Sequence, residues 1–234
     1  MSAQTVSMPN SLSASEMSIL QSLQAIYDQS TNEHAHRVML LAEVVARELQ
    51  LAEDEVFIIC LAALLHDIGK VSVPDAILNK PGPLDEYEQW VVRLHPEIGQ
   101  QMLLNAGGVF ALLAPVVVAH HERWDGEGYP NRLSGEEIPL AARIIAVADS
   151  YDAMVQRRAY HEPRSAMEAC AELRRCAGSQ FDPRIVATFL SSFAKSSELQ
   201  ERSMRNRVIG EAELVGVMYA MPSLQSDEYV RVSA

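Results

Sequence analysis

The sequence has few cysteines, no excess of basic residues and no long apolar run, and each of these shortages excludes a class of protein. Its three cysteines, Cys60, Cys170 and Cys176, include no C-x-x-C pair, which argues against a disulfide framework and against a thiolate metal site. The formal net charge of −12 argues against binding to a nucleic-acid polymer, because such binding requires a basic surface.

No segment of the sequence predicts contact with a membrane. The most apolar stretch, residues 56–65, has about half of the roughly 20 residues that a membrane-spanning helix needs. The polar N-terminus has no basic segment leading into an apolar one, so we expect no signal peptide. We therefore expect a cytoplasmic protein that does not bind membranes.

The apolar residues recur at helical spacing, and strand signals are nearly absent. Hydrophobic residues make up 48% of the chain, which is enough for a sizeable core. The pattern predicts an all-α bundle of short helices over residues 13–194, preceded by a flexible tail over residues 1–12. Residues 195–234 are predicted as a C-terminal extension, for which helix and strand both remain open.

Several helix boundaries can be predicted from local signals. Ser13 and Glu16 form the pattern of a capping box, which opens a first helix. Residues 28–32 are polar and predict a break before a second helix, and a third helix is predicted to end at Gly69. Residues 71–83 contain three prolines and are predicted as a long loop. Residues 122–139 are polar and glycine-rich, and irregular loops of this length are usually functional.

Five histidines and two aspartates lie where ionisable side chains are costly unless they are paired. They follow apolar helical runs, precede a proline at a helix junction or lie on the apolar stripe of a helix. A single histidine of this kind is more often a core or surface residue, but the number of them favours a metal site. The seven residues are His34, His66, Asp67, His95, His120, His121 and Asp149.

Imidazole and carboxylate ligands without thiolates suit Fe, Mn, Ni, Co or Zn. Five histidines and two aspartates are too many for one ion, so the pattern predicts two ions that are bridged by one aspartate. Such pairs of ions serve in-line displacement at phosphorus.

Longer motifs surround these seven residues. His66 opens H-D-I-G-K, His95 opens H-P-E-I-G, and His120 opens H-H-E-R-W-D-G-E-G-Y-P. The other motifs are H-A-H-R-V from His34, I-L-N-K-P-G-P-L from Ile77, I-P-L-A-A-R-I from Ile138, A-D-S-Y-D-A-M from Ala148 and F-D-P from Phe181. This ordered set covers about residues 28–190 and resembles the HD-GYP family, a branch of the HD phosphohydrolase superfamily.

The resemblance implies an all-helical HD domain with a long irregular GYP loop, and hydrolysis of the bacterial messenger cyclic di-GMP. It implies that one metal ion is held by His34, His66, Asp67 and Asp149, and the other by Asp67, His95, His120 and His121. Asp67 is then the bridge. Some family members bind a third metal through a glutamate, but Ser30 stands at that position here, so we expect two ions.

The resemblance also implies residues that contact the substrate. Lys70 is expected to point at the phosphate, where it joins Asp67 as a catalytic residue, although it would also suit the end of a helix. Tyr129 of the GYP motif is expected beside the substrate, and Arg143 and Arg158 near the nucleotide. Arg157 and Arg158 also fit a solvated surface pair.

The implied reaction is attack on phosphorus by a hydroxide shared between the two metal ions, with Lys70 offsetting charge on the phosphoryl oxygens. The product is linear pGpG, and a second cut would give GMP. Fe or Mn is favoured, with Ni, Co or Zn as alternatives. Rival interpretations are a phosphohydrolase for another nucleotide or mixed cyclic dinucleotide, and a non-catalytic sensor or adaptor that binds GGDEF proteins. The C-terminal extension would suit a homodimer.

Overall fold

The computed structural model describes residues 11–25, 29–156 and 163–193, and within these ranges the chain is helical without a strand. The all-α prediction is therefore confirmed. The helices are α1 (Ala14–Gln24), α2 (Gln29–Glu48), α3 (Glu53–Leu65), α4 (Asp75–Leu78), α5 (Glu86–Arg93), α6 (His95–Ala106), α7 (Gly108–Val118), α8 (Leu140–Val155), α9 (Ala166–Arg175) and α10 (residues 183–193). Short 3₁₀ turns cover Ile68–Ser72 and Gly135–Glu137.

Helix α3 lies at the centre of the bundle and packs against α2, α7 and α8. It is apolar on all sides, as expected for a helix surrounded by protein, and most of its residues after Glu55 are buried. Helix α6 packs against α7 and against the 3₁₀ turn that follows α3. This arrangement brings the ends of α3, α5 and α7 toward one region of the core.

The predicted helix boundaries need four corrections. Helix α2 begins at Gln29, inside the polar segment that was predicted to be a break, because a polar first turn is compatible with a helix whose later turns are packed. A helix was predicted over residues 112–121, but α7 begins earlier, at Gly108, and ends at Val118, before the His120–His121 pair. Residues 71–83 are not one open loop, because they contain the end of a 3₁₀ turn and the short helix α4.

The fourth correction concerns Gly69, which was predicted to end α3. Helix α3 already ends at Leu65, and Gly69 lies in the following 3₁₀ turn. A Cβ atom at Gly69 would lie 1.9 Å from the carbonyl oxygen of His95 and 2.7 Å from the amide nitrogen of Gly99. Glycine is required here because two backbone segments approach each other closely.

The capping box of α1 is confirmed, since Ser13 Oγ accepts from the Glu16 amide and the Glu16 carboxylate accepts from the Ser13 amide. No helix within the described ranges is both long enough and apolar enough to cross a membrane. Of the predicted tail and C-terminal extension, residues 1–10 and 194–234 lie outside the described residues. The domain boundaries at residues 12 and 194 therefore stay predictions.

Replacing Gly69 with alanine is expected to lower the free energy of unfolding by about 3 kcal/mol or more, because backbone atoms cannot move aside as a side chain can. Urea denaturation of the purified wild-type and variant proteins measures the change in the free energy of unfolding. Val71→Ala, at an exposed residue of the same turn, should cost less than about 1 kcal/mol. Equal stability of the two variants would contradict the close approach.

Candidate metal centre

The seven predicted metal ligands form one cluster, and three of its histidines each make the same hydrogen bond at the end of a helix. The Nδ1 atom of His66 lies 2.7 Å from the carbonyl oxygen of Ala63, that of His95 lies 2.7 Å from Val92 O, and that of His120 lies 2.6 Å from Val117 O. Each carbonyl belongs to the last turn of its helix, where backbone oxygens lack an intrahelical partner. A carbonyl can only accept, so Nδ1 carries the proton in all three rings.

This tautomer leaves a lone pair on each Nε2 atom, and these lone pairs converge. The Nε2 atoms of His95 and His120 face each other at 3.2 Å although neither has a proton to give in the neutral ring. The Nε2 atom of His66 is buried and makes no hydrogen bond within the described residues. Unshared lone pairs facing one another in a dry interior are unfavourable unless a cation lies between them.

Asp67 lies between these rings and is almost fully buried. Its Oδ1 atom is 3.3 Å from His95 Nε2 and 3.9 Å from His120 Nε2, whereas Oδ2 is 3.3 Å from His66 Nε2. Lys70 Nζ donates to Oδ2 at 2.6 Å. Burial by itself would raise the pKa of Asp67, but the interactions that oppose burial, of which the positive charge of Lys70 is the largest, hold that pKa well below its usual range. Asp67 is therefore an anion whose two oxygens face different histidines.

His34 and Asp149 form the other side of the cluster. His34 Nε2 lies 3.2 Å from Asp149 Oδ1, and its Nδ1 atom lies 2.7 Å from Asp152 Oδ2. Arg37 in turn donates two hydrogen bonds to the Asp152 carboxylate, at 2.7 and 3.1 Å. Asp152 thus orients His34 as outer carboxylates orient metal-bound histidines.

His121 completes the cluster and connects it to the loop over residues 122–139. Its ring is stacked on that of Tyr129, with centroids 5.0 Å apart and planes inclined by 22°. The guanidinium of Arg93 lies over the Tyr129 ring, 5.3 Å from its centroid. Burial lowers the pKa of His121 to about 4, with repulsion from His95 as the next cause, so its ring is neutral at pH 7.

The path of the loop near Tyr129 is set by Glu122 and Gly128. The buried Glu122 accepts a hydrogen bond from the Asn131 amide at 2.6 Å, which ties the start of the loop to the residues after Tyr129. A Cβ atom at Gly128 would lie 2.4 Å from the Arg123 amide nitrogen, so the loop can pass this close only with glycine.

All seven predicted ligand residues come together, and their donor atoms form two groups. The atoms within each group lie within 4.8 Å of one another. The four-residue group is Asp67, His95, His120 and His121, and the three-residue group is His34, His66 and Asp149.

Neutral imidazole nitrogens and carboxylate oxygens are donors that divalent transition metals take, and the converging lone pairs fit such an ion. The ends of α3, α5 and α7, where the helix dipole is negative, also favour a cation.

Protons compete with a cation for part of this cluster. Burial by itself would lower the pKa of His34, but its hydrogen bonds to Asp149 and Asp152 outweigh burial and raise that pKa to about 9. Burial and repulsion from neighbouring imidazoles, His121 foremost, hold the pKa of His120 well below its usual range. A metal ion must therefore displace a proton from His34 but none from His120.

The four residues predicted to contact substrate are in different situations. Lys70 and Tyr129 border the cluster through Asp67 and His121. Arg143 donates to the buried Asp182 at 2.8 Å, and its guanidinium lies over the Trp124 ring. Through these two contacts Arg143 connects α8 to the start of α10 and to the loop. Arg158 lies outside the described residues.

Sequence reasoning missed Asp152, Arg37, Arg93 and Glu122. Asp152 lies three residues after Asp149 on α8, and this spacing on one helix face was a signal that it could point the same way. Arg37 had the same signal, because it lies three residues after His34 on α2. Arg93 and Glu122 had no comparable signal, because their contacts are with a loop that has no regular spacing.

The chain is similar to known proteins over most of its length. A family model described as "HD domain" matches residues 18–185. A "Cyclic di-GMP phosphodiesterase" of Thermotoga maritima is 40% identical over 187 residues, which are 80% of this chain and 51% of that protein. A "3'3'-cGAMP-specific phosphodiesterase 2" of Vibrio cholerae is 41% identical over 163 residues, covering 69% of this chain and 31% of that protein.

This chain therefore spans about half or less of the length of these relatives. Among solved structures, a cyclic GMP-AMP-specific phosphodiesterase of V. cholerae superposes with a TM-score of 0.57 at 20% identity, over 76% of this chain and 48% of that one. At this identity the likeness supports the fold alone.

Asp152→Asn is expected to weaken metal binding about 10- to 100-fold, because the neutral amide no longer holds the His34 ring as a carboxylate does. Calorimetric titration of metal-free protein with Mn²⁺ measures the affinity. Asp125→Asn is the matched control, since Asp125 is exposed and pairs with Arg123. Unchanged affinity in the Asp152 variant would show that this carboxylate does not support the metal site.

Proposed function

Because the chain belongs to the HD domain family, we propose that it is a metal-dependent phosphodiesterase that hydrolyses cyclic di-GMP to linear pGpG. The observation that carries this proposal is the pair of donor groups, because Asp67 belongs to one of them and its Oδ2 atom lies 3.3 Å from His66 Nε2 of the other. The name of the Thermotoga relative supports the choice of substrate.

We propose that each donor group holds one divalent ion, with Asp67 as the bridge, and that the ions are Fe or Mn rather than Ni, Co or Zn. Two such ions, when bound, supply an activated water and stabilise charge on the phosphoryl oxygens. The chain holds the histidine rings in one tautomer and excludes bulk water from Asp67. These features prepare the site before substrate arrives, so little reorganisation is needed during reaction.

Lys70 is proposed as the cation that contacts the scissile phosphate. Its ammonium group donates to Asp67 Oδ2 and remains partly exposed, so it can also reach an anion at the mouth of the site. An ammonium has three donors, and the bond to Asp67 uses one of them. Lys70 would offset the negative charge that develops on phosphorus-bound oxygens.

Tyr129 is proposed as a wall of the substrate site, because it stacks on His121 of the four-residue group.

For Arg143 we propose a role that differs from the predicted one. Its bond to the buried Asp182 and its position over Trp124 support a positioning role for the loop, in place of the predicted contact with the nucleotide. The predicted contact of Arg158 stays a prediction, as do the cytoplasmic location, GGDEF partners and a homodimer.

Purified protein reconstituted with Mn²⁺, or with Fe²⁺ under anaerobic conditions, is expected to convert cyclic di-GMP to pGpG. Asp67→Ala should lower kcat on the order of 10³-fold or more, because it removes the anion between the two donor groups. Product analysis by chromatography measures the turnover.

Asp75→Ala is the control, since Asp75 is exposed on α4 and should leave kcat unchanged. Mixed-base cyclic dinucleotides and simple nucleotides are assayed beside cyclic di-GMP. Faster turnover of either class would contradict the proposed substrate, and tight binding without any turnover would favour a sensor.

The proposed pair of ions predicts a metal content of two per chain for the wild-type protein. His34→Ala and His121→Ala should each bind one ion fewer, because the two histidines belong to different donor groups. Elemental analysis after equilibrium dialysis measures the content. His36→Ala should keep both ions, since His36 is exposed, lies outside both donor groups and bonds to the Asn32 carbonyl. Loss of both ions in both variants would indicate a single shared site.

A further inference from the structure

Arg93 is a cation at the edge of the metal centre, and it has no role in the proposed reaction. It lies in the last turn of α5, two residues before His95, which opens α6. Its guanidinium is held over Tyr129, and Tyr129 is stacked on His121. Arg93 is therefore separated from the four-residue group by one aromatic ring.

Arg93 differs from most described cations of the chain because it has no carboxylate partner within the described residues. The net charge is −12, and most described lysines and arginines are paired with carboxylates, as Arg37 is with Asp152 and Arg143 with Asp182. Arg93 forms no ion pair within the part of the chain that the structure describes, and its side chain stays accessible. A cation–π contact does not place the N–H groups of a guanidinium in an ion pair, so these donors remain available for an anion.

A cyclic dinucleotide carries two phosphodiesters, and only one can lie at the metal centre at a time. Lys70 donates a hydrogen bond to Asp67, so its ammonium group lies beside the phosphate that is cut. The other phosphate remains charged and needs a partner outside the metal centre. A guanidinium matches a phosphate because it can donate two parallel hydrogen bonds.

We propose that Arg93 binds the second, uncleaved phosphate of a cyclic dinucleotide and thereby selects substrates with two phosphodiesters. This inference rests on the proposed function, since it assigns a residue to the same substrate. A cation at the end of α5 would also stabilise the helix, and an arginine over Tyr129 would also brace the ring. Those structural roles do not distinguish substrates with one phosphate from substrates with two.

The test compares cyclic di-GMP with bis(p-nitrophenyl) phosphate, a diester with a single phosphate, using Mn²⁺-loaded full-length protein. Arg93→Ala is expected to raise KM for cyclic di-GMP about 10- to 100-fold, because one charge-assisted interaction is lost. We expect kcat for cyclic di-GMP, and kcat/KM for the single-phosphate diester, to stay within about threefold of wild type. Arg93→Lys should recover part of the affinity, since it keeps the charge without the fork of donors.

Arg175→Ala is the matched control, because Arg175 is an exposed arginine that pairs with Glu172 on α9. The proposal is overturned if Arg93→Ala leaves KM for cyclic di-GMP unchanged, or if it impairs both diesters equally. If wild-type protein does not hydrolyse cyclic di-GMP, the proposed function fails, and calorimetric binding of the intact dinucleotide then decides on Arg93. Equal Kd values for wild type and Arg93→Ala, or no binding by either, would overturn the proposal in that case.

Discussion

The metal centre depends on a hydrogen bond that occurs three times, from a histidine Nδ1–H to a carbonyl oxygen three residues earlier. The last carbonyls of any helix lack a partner within it, and here α3, α5 and α7 satisfy one of them with an imidazole. The same bond fixes the tautomer and the orientation of the ring. The hydrogen bonds that satisfy these helix ends therefore also direct the Nε2 lone pairs of the three histidines into the cluster.

The rest of the centre follows from where those three helix ends meet. Gly69 lets the turn after α3 pass against the backbone of α6, so that Asp67 reaches between His66 and His95. Helix α8 brings in Asp149 and Asp152, which act together on His34. Because Arg37 forms an ion pair with Asp152, the negative charge of this buried carboxylate is balanced even before a metal ion binds.

The loop after His121 carries much of what surrounds the metal centre. Glu122 and Gly128 fix the path that brings Tyr129 onto His121, and Arg143 holds the same loop to α10 through Asp182. The outer side of Tyr129 is bordered by Arg93, a cation in a strongly acidic chain. Recognition of the proposed anionic substrate would therefore depend on a few local cations and not on the overall charge.

Much of the fold and the donor set could be predicted from the sequence, because helical periodicity and the types of metal-ligating side chain are local properties. The helices, the candidate donor residues and the loop after His121 follow from local patterns in the sequence. The fold was needed to establish which nitrogen of each ring faces the cluster, where α3 and α7 end, and which residues support the candidate ligands. These features depend on pairings such as His34 with Asp152, which are 118 residues apart, and on the close approach of two backbones at Gly69, and neither is a local property of the sequence.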